Sequence, residues 1–253
     1  MIFGLLDDLF ETLGIGFDEA EKPKAKTTNS SSNIKADKEA LKEFVNNFHW
    51  GDGLTDSQAK ANIEKGIVEL TDFEGRASNG LLITENGYFI TSYHCVVDAE
   101  YQQYIVTASG KKYPIQKVCA YSKKDDIALA KANMPGPSKA MVYRFAKKYN
   151  IAKKFAIVML SRDDTKLRLK GGYVHNPKLV QVERNGDAHL IENQIWIEVD
   201  SVPGDSGSIY STMDHRIYGV HASGVANEEK WGMCTFWFQV IKLINLVAKP
   251  KKL

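Results

Sequence analysis

The sequence predicts a strand-rich, all-β main body with short helices at its two ends. From residue 67 onward, short apolar and β-branched runs alternate with glycine, asparagine and other turn residues, which is typical of a β-barrel or sandwich pair. Before residue 67 and after residue 240, the apolar residues indicate helices instead. The chain has 253 residues, 43% hydrophobic and 25% charged, so it can bury a core of ordinary size.

Composition excludes several classes of protein. The 33 Lys and Arg residues against 31 Asp and Glu leave a formal charge of +2, which does not favour electrostatic binding to nucleic acid. No nucleic-acid-binding motif occurs in the sequence. No stretch approaches the roughly 18 uninterrupted apolar residues of a membrane span. The histidines show no metal-ligand spacing with cysteines or carboxylates, so we predict neither a metal nor a cofactor.

The cysteines and the first residues predict a cellular compartment. Cys95, Cys119 and Cys234 are odd in number and far apart, unlike the disulfide framework of a secreted protein. Residues 1–10 carry acids where a secretion signal needs a basic region and an unbroken apolar core. We therefore expect a cytoplasmic protein.

Residues 1–36 are predicted to be an amphipathic segment followed by a flexible linker. Apolar residues recur at helical spacing over residues 1–17, with acidic residues on the other side. Such a helix could dock on a membrane surface or a partner, or fold back onto the main domain. Residues 21–33 are polar and read as the linker. The oligomeric state is not indicated.

Residues 37–66 are predicted to be a helical extension. Residues 37–48 place apolar side chains on one helix face, and Thr55 followed by Gln58 is a capping-box pattern for a second helix that ends at Gly66. Residues 67–253 then form the main domain.

Within the main domain, turn residues separate the predicted strands. Asn86-Gly87 is a two-residue hairpin signal, since both residues tolerate positive φ. A last helix is expected over residues 241–248. The predicted strands are Ile67–Leu70, Leu81–Thr84, Tyr88–Thr91, Tyr104–Val106, Ile127–Ala130, Phe155–Leu160, Leu167–Val174, Ile195–Val199, Ser208–Tyr210, Ile217–His221 and Thr235–Val240.

Three short motifs place a histidine, an aspartate and a serine in that order. They are residues 91–96 around His94, residues 125–129 with Asp126, and Pro203-Gly204-Asp205-Ser206-Gly207-Ser208. A serine hydroxyl becomes a nucleophile when an imidazole takes its proton, and a carboxylate orients that imidazole. The backbone amides of Gly204 and Ser206 could form an oxyanion hole. The order of the three residues excludes α/β-hydrolases and subtilisins.

These motifs resemble those of the chymotrypsin-like serine proteases. The resemblance covers about residues 67–248 and is closest to the high-temperature-requirement proteases and the glutamyl endopeptidases, whose first hairpin is similar to residues 77–91. It implies two six-stranded antiparallel β-barrels and a serine endopeptidase acting on a protein or peptide, with His94, Asp126 and Ser206 as catalytic residues. The alternative is a catalytically silent module that keeps the groove for peptide binding or scaffolding.

Two residues compete for the specificity pocket. Asp200, six residues before Ser206, has the spacing of the pocket-floor aspartate of trypsin, which binds Lys or Arg. His221 resembles the imidazole with which glutamyl endopeptidases and many viral polyprotein proteases hold an acidic or glutamine side chain. We favour His221 and a preference for Glu or Gln. The predicted substrate-binding residues are Asp200, Ser201, His221, Ala222, Ser223 and Gly224.

Asp205 departs from the compact relatives, which usually have Asn at this position. In trypsin-like zymogens the matching aspartate pairs with a new N-terminus released by cleavage. Ile67-Val68 is similar to such an N-terminus but lies only 27 residues before His94, which is too short to reach. We therefore expect Asp205 to pair with a Lys or Arg elsewhere. We also expect the uncleaved chain to be active, or inhibited only reversibly by its N-terminal region.

Overall fold

The computed structural model describes residues 31–46, 53–72, 77–96, 103–147, 152–183, 190–225 and 228–248. The amphipathic segment predicted over residues 1–17 lies outside the described residues, as does most of the predicted linker. None of the described helices combines the length and apolar character that crossing a membrane requires.

The described residues contain three α-helices, two before the main domain and one at its end. They are α1 (Ser31–Asn46), α2 (Asp56–Gly66) and α3 (Trp237–Ala248). Helix α1 begins inside the predicted linker, so the prediction for residues 31–33 is wrong. The capping box of α2 is confirmed: Thr55 Oγ1 accepts from Gln58 N at 3.3 Å, and Gln58 Oε1 accepts from Thr55 N at 2.9 Å.

The first half of the main domain is a closed antiparallel barrel. Its strands follow the order β1-β2-β3-β6-β5-β4. They are β1 (Ile67–Thr71), β2 (Ala77–Leu82), β3 (Tyr88–Thr91), β4 (Tyr104–Val106), β5 (Lys112–Ser122) and β6 (Ile127–Ala132). Strand β5 is absent from the strand list predicted above because its exposed and half-buried residues carry little apolar signal.

The second half is a sheet in which six antiparallel strands close into a ring. Strands β8, β9, β10, β13 and β12 pair in that order, and β11 pairs with both β8 and β12. The short strand β7 joins β12 in parallel. The strands are β7 (Arg144–Phe145), β8 (Ala156–Asp163), β9 (Lys166–Glu183), β10 (Leu190–Glu198), β11 (Ile209–Thr212), β12 (Arg216–Val225) and β13 (Glu228–Phe236). The predicted double-barrel class is confirmed.

Two local predictions are wrong in detail. The strand predicted over Thr235–Val240 ends at Phe236, and α3 begins at the next residue, Trp237. Since α3 is buried on most sides, its apolar run could not be told from a buried strand by periodicity. At the Asn86-Gly87 hairpin only Gly87 has positive φ, +98°, and the Asn86 side chain instead donates to Asp37 Oδ1 at 2.6 Å.

Asp37 joins the helical extension to the first barrel through hydrogen bonds to its carboxylate. Its carboxylate also accepts from Ser138 Oγ at 2.8 Å and from Tyr88 OH at 3.0 Å. Helix α1 packs against α3, and buried Leu41 and Phe44 join the main core. The extension is thus part of the folded domain.

Candidate active site

His94, Asp126 and Ser206 form one hydrogen-bonded chain between the two barrels. His94 lies in a 3₁₀ turn (Tyr93–Cys95) after β3, Asp126 directly precedes β6, and Ser206 precedes β11. Ser206 Oγ lies 2.9 Å from His94 Nε2, and His94 Nδ1 lies 2.8 Å from Asp126 Oδ2. The structure therefore brings together the three residues predicted from sequence, and their alignment is that of a nucleophile, a base and a carboxylate that orients the base.

The backbone fixes Asp126 against the histidine turn. Asp126 has a φ of +49°, a conformation that Asp tolerates better than most residues. Its Oδ1 accepts from the His94 backbone amide at 3.1 Å, and its carbonyl accepts from Tyr93 N at 3.1 Å. The neighbouring Asp125 instead accepts at Oδ1 from Asn193 of the second barrel at 2.8 Å. Of the two adjacent aspartates, only Asp126 faces His94.

The imidazole of His94 has a raised pKa. Its side chain is 16% exposed and that of Asp126 only 1%. Burial alone would lower the pKa of His94, but the adjoining Cys95 sulfur and the Asp126 carboxylate outweigh burial and raise it. The ring therefore accepts a proton more readily than an ordinary histidine.

Residues 202–205 form a turn directly before Ser206. Val202 O accepts from Asp205 N at 3.1 Å, Pro203 occupies the second position, and Gly204 in the third has a φ of +99°. These are the features of a type II turn, whose third residue is normally glycine. Among the described residues, neither Gly204 N nor Ser206 N donates to a backbone carbonyl. Both amides are available to stabilise a negative oxygen.

Asn79 of β2 holds this loop from the first barrel. Its backbone amide donates to Ser206 O at 2.7 Å and its side-chain amide to Gly204 O at 2.9 Å. Gly207 is required beside it, because a Cβ at Gly207 would overlap the Asn79 carbonyl. Local sequence carries no signal for the role of Asn79, since its partners lie far away along the chain.

His221 on β12 is a second buried histidine near Ser206. Its Nδ1 lies 2.7 Å from the hydroxyl of Tyr210, and its Nε2 lies 3.0 Å from Ser201 Oγ. The residue is only 1% exposed. Burial lowers its pKa to about 4, although the Asp205 carboxylate opposes this shift. His221 is therefore neutral at pH 7.

The other predicted pocket residues separate into three groups by burial. Ser201, Ser223 and Gly224 are half-buried beside His221, Ala222 is fully buried in an apolar cluster, and the side chain of Asp200 is exposed.

Gly232 of β13 is a pocket residue that the sequence analysis missed. It pairs with Gly224 across the β12–β13 ladder. A Cβ at Gly232 would clash with the Tyr210 hydroxyl and press on the His221 ring. A lone glycine in a strand indicates close approach of another group but does not identify that group.

The described segments contain no cluster of three or more His, Cys, Asp or Glu arranged to hold a metal ion.

Comparison with known proteins agrees with the double-barrel fold. A family model described as Trypsin matches residues 55–245. The active form of the Rv3671c protease from M. tuberculosis aligns with a TM-score of 0.60 at 15% identity, covering 80% of this chain and 89% of that one. Its inactive form aligns with a TM-score of 0.57 at 16% identity, covering 78% and 96%. The MamO protease domain of Magnetospirillum magneticum gives 0.58 at 15% identity, covering 72% and 97%. A search of curated protein sequences gives no significant match.

The double barrel and the residues between its halves define the chymotrypsin-like class of proteases. Because the family model matches more than half of the sequence, the chain belongs to the trypsin family.

Proposed function

We propose that the protein is a serine endopeptidase with Ser206 as nucleophile, His94 as general base and Asp126 as the carboxylate that orients His94. The observation that carries the proposal is the continuous Ser206–His94–Asp126 chain, with contacts of 2.9 and 2.8 Å. The order of these residues, the fold and the family are consistent with it.

The reaction follows from the positions of these groups. His94 Nε2 takes the proton of Ser206 as Oγ attacks the carbonyl carbon of the scissile bond, and the imidazolium then protonates the leaving amine. The resulting acyl-enzyme is hydrolysed by water through the same proton transfers. Asp126 stabilises the imidazolium and keeps the free Nε2 toward Ser206. The Gly204 and Ser206 amides stabilise the tetrahedral oxyanion.

We further propose that the enzyme prefers Glu or Gln before the scissile bond, because His221 can serve as a neutral hydrogen-bond donor. Burial raises the pKa of Tyr210, so its hydroxyl stays protonated. Within the described residues, His221 Nδ1 is the acceptor within reach of that hydroxyl. A buried hydroxyl needs an acceptor, which assigns the donor role to Tyr210 and leaves the ring proton on Nε2.

The Nε2 proton of His221 points to the side of the ring where Ser201 lies, and Ser201 is half-buried. A substrate carboxylate or amide oxygen that reaches this position would accept the hydrogen bond. A pocket with such a donor favours side chains that accept a hydrogen bond over apolar side chains, which offer no acceptor. The exposed side chain of Asp200 supports His221 over Asp200 as the specificity residue.

Labelling with a fluorophosphonate tests the activity most directly. The wild-type chain is expected to be labelled, whereas Ser206→Ala is not, and Ser208→Ala, which removes a buried hydroxyl two residues away, keeps its labelling. Absence of labelling in a folded wild-type chain would favour a catalytically silent peptide-binding module. That alternative requires a displaced loop around Asp205.

A cytoplasmic location remains part of the proposal. It is supported by Cys95, Cys119 and Cys234, all of which are free thiols, as a reducing compartment favours. Immunoblotting of separated cell fractions tests it, and recovery in an extracellular fraction would contradict it.

A further inference from the structure

Asp205 pairs with Lys170, a residue of β9 that lies outside the Ser206–His94–Asp126 chain. Lys170 Nζ lies 2.7 Å from Asp205 Oδ2, and the two side chains are 23% and 4% exposed. A carboxylate buried to this degree is strongly unfavourable without a cation or several donors. Lys170 is therefore the partner that the sequence analysis expected but did not identify.

The Lys170 ammonium contacts both ends of the loop that precedes Ser206. Besides the Asp205 carboxylate, it donates to the carbonyl of Asp200 at 3.0 Å. Asp205 Oδ2 in turn accepts from the backbone amide of Val202 at 2.8 Å. The cation, the carboxylate and the 202–205 turn thus form one connected network.

This network determines where the amide of Gly204 points. Types I and II of a four-residue turn differ mainly by a flip of the central peptide, here the one between Pro203 and Gly204. Asp205 closes the turn twice, through its own amide to Val202 O and through its carboxylate to Val202 N. If Asp205 lost its position, the Gly204 amide would lose its orientation toward the oxyanion.

A new amino terminus created by cleavage before Ile67 could not supply the positive charge that Lys170 provides to Asp205 without disrupting the first barrel. Ile67 is fully buried in β1, where it pairs with Leu81 of β2. Its carbonyl accepts from Arg162 Nε at 2.8 Å. The segment that is similar to a zymogen terminus is therefore a structural strand.

We propose that Lys170 is a positioning residue for the oxyanion-binding turn, and that this internal ammonium makes the chain catalytically competent without cleavage before Ile67. The proposal rests on the peptidase function proposed above. It assigns Lys170 no contact with the substrate, so its effect should reside in the transition state rather than in substrate binding.

Lys170→Met tests the proposal, since methionine keeps most of the side-chain length and removes the charge. Assays are run on uncleaved chain, verified by intact mass, at a temperature where thermal unfolding shows every variant folded. We expect kcat to fall by about 10²–10³, the usual loss for one oxyanion donor, with KM changed by less than about threefold. Lys170→Arg should recover activity to within about tenfold of wild type, and the exposed Lys178→Met on the same strand should match wild type.

Two ligands separate positioning from a general structural role. The inhibition constant of a peptide aldehyde, which forms a tetrahedral adduct, should rise in parallel with the loss of kcat. The affinity of an uncleaved substrate peptide, measured with Ser206→Ala and with Ser206→Ala/Lys170→Met, should be the same.

Each contrary outcome has a distinct meaning. A folded Lys170→Met variant with kcat within about threefold of wild type overturns the role of Lys170, as does a loss of substrate affinity equal to the loss of kcat. Wild-type activity that appears only after cleavage near Lys65 overturns competence without cleavage. A folded wild-type chain that no fluorophosphonate labels instead rejects the peptidase function itself, and this inference with it.

Discussion

The two histidines beside Ser206 are both largely buried, yet their surroundings give them opposite properties. His94 contacts the carboxylate of Asp126, which helps to raise its pKa above the ordinary value, whereas His221 contacts two hydroxyls and burial lowers its pKa to about 4. The first ring is thereby suited to accept a proton, and the second to remain neutral and donate a hydrogen bond. In the proposed function, the first histidine is the general base and the second is the group that recognises the substrate side chain.

The largest expected effect comes from His94→Ala. Because a nucleophile and its base act as a unit, this variant and Ser206→Ala should each lower kcat by about 10⁶ and their losses should not add. Because the proposed role of His94 is in the chemical step and not in recognition, we expect this loss for every substrate, whichever residue precedes the scissile bond. Peptidase assays on chains with unchanged thermal unfolding test it, and activity within tenfold of wild type in either variant would contradict the assignment.

Asp126→Asn should lower kcat by about 10⁴ through the wrong tautomer of His94. An amide donor at this position would force the proton of the ring onto Nε2, which then cannot accept the proton of Ser206. Asp125→Asn is the matched control, since Asp125 contacts the second barrel rather than His94. Equal losses in the two variants would mean that Asp126 acts only through stability.

The residues proposed to carry the chemistry were predictable because each lies in a short, recognisable motif. His94, Asp126 and Ser206 could be named from local sequence and chain order alone. The residues that hold them in place could not be named in this way. Asn79 contacts Ser206 across the barrel junction, and Lys170 contacts Asp205 from another strand. An Asn in a strand and a Lys among other lysines carry no signal of what they contact.

The fold shows the same division between local and distant information. The strand-rich main domain and the cap of α2 followed from local patterns and the double barrel from the family resemblance, whereas the start of α3 at Trp237 did not follow from either. A helix buried on most sides has no polar face to reveal its period.

His221→Ala should lower kcat/KM for Glu and Gln substrates by about 10², while Ala substrates change by less than about threefold. This is the loss expected for a hydrogen bond to a charged or polar group in a buried site. A peptide library measures the change, with Asp200→Ser expected to be neutral. Cleavage confined to Lys and Arg, abolished by Asp200→Ser and indifferent to His221→Ala, would reverse the roles of these residues.

The pH dependence should separate the two rings in a single wild-type sample. Catalysis needs neutral His94, so kcat/KM should fall about tenfold per pH unit as pH drops below its pKa, which lies above the usual value of about 6.5. The ratio of Gln to Ala cleavage should stay constant until His221 protonates near pH 4. Gln is used because it does not titrate, and a ratio that changes near pH 6.5 would contradict the neutral donor.

Tyr210→Phe should have the smallest effect, because it removes the group that sets the tautomer of His221 rather than the ring itself. Without the hydroxyl, His221 can place its proton on either nitrogen, so the preference for Gln over Ala should fall by about tenfold while cleavage of Ala substrates is retained. Tyr218→Phe, which removes another buried tyrosine hydroxyl from the same barrel, controls for lost stability. If both variants keep the wild-type preference, Ser201 alone orients the ring, and Tyr210 serves only to fill the core.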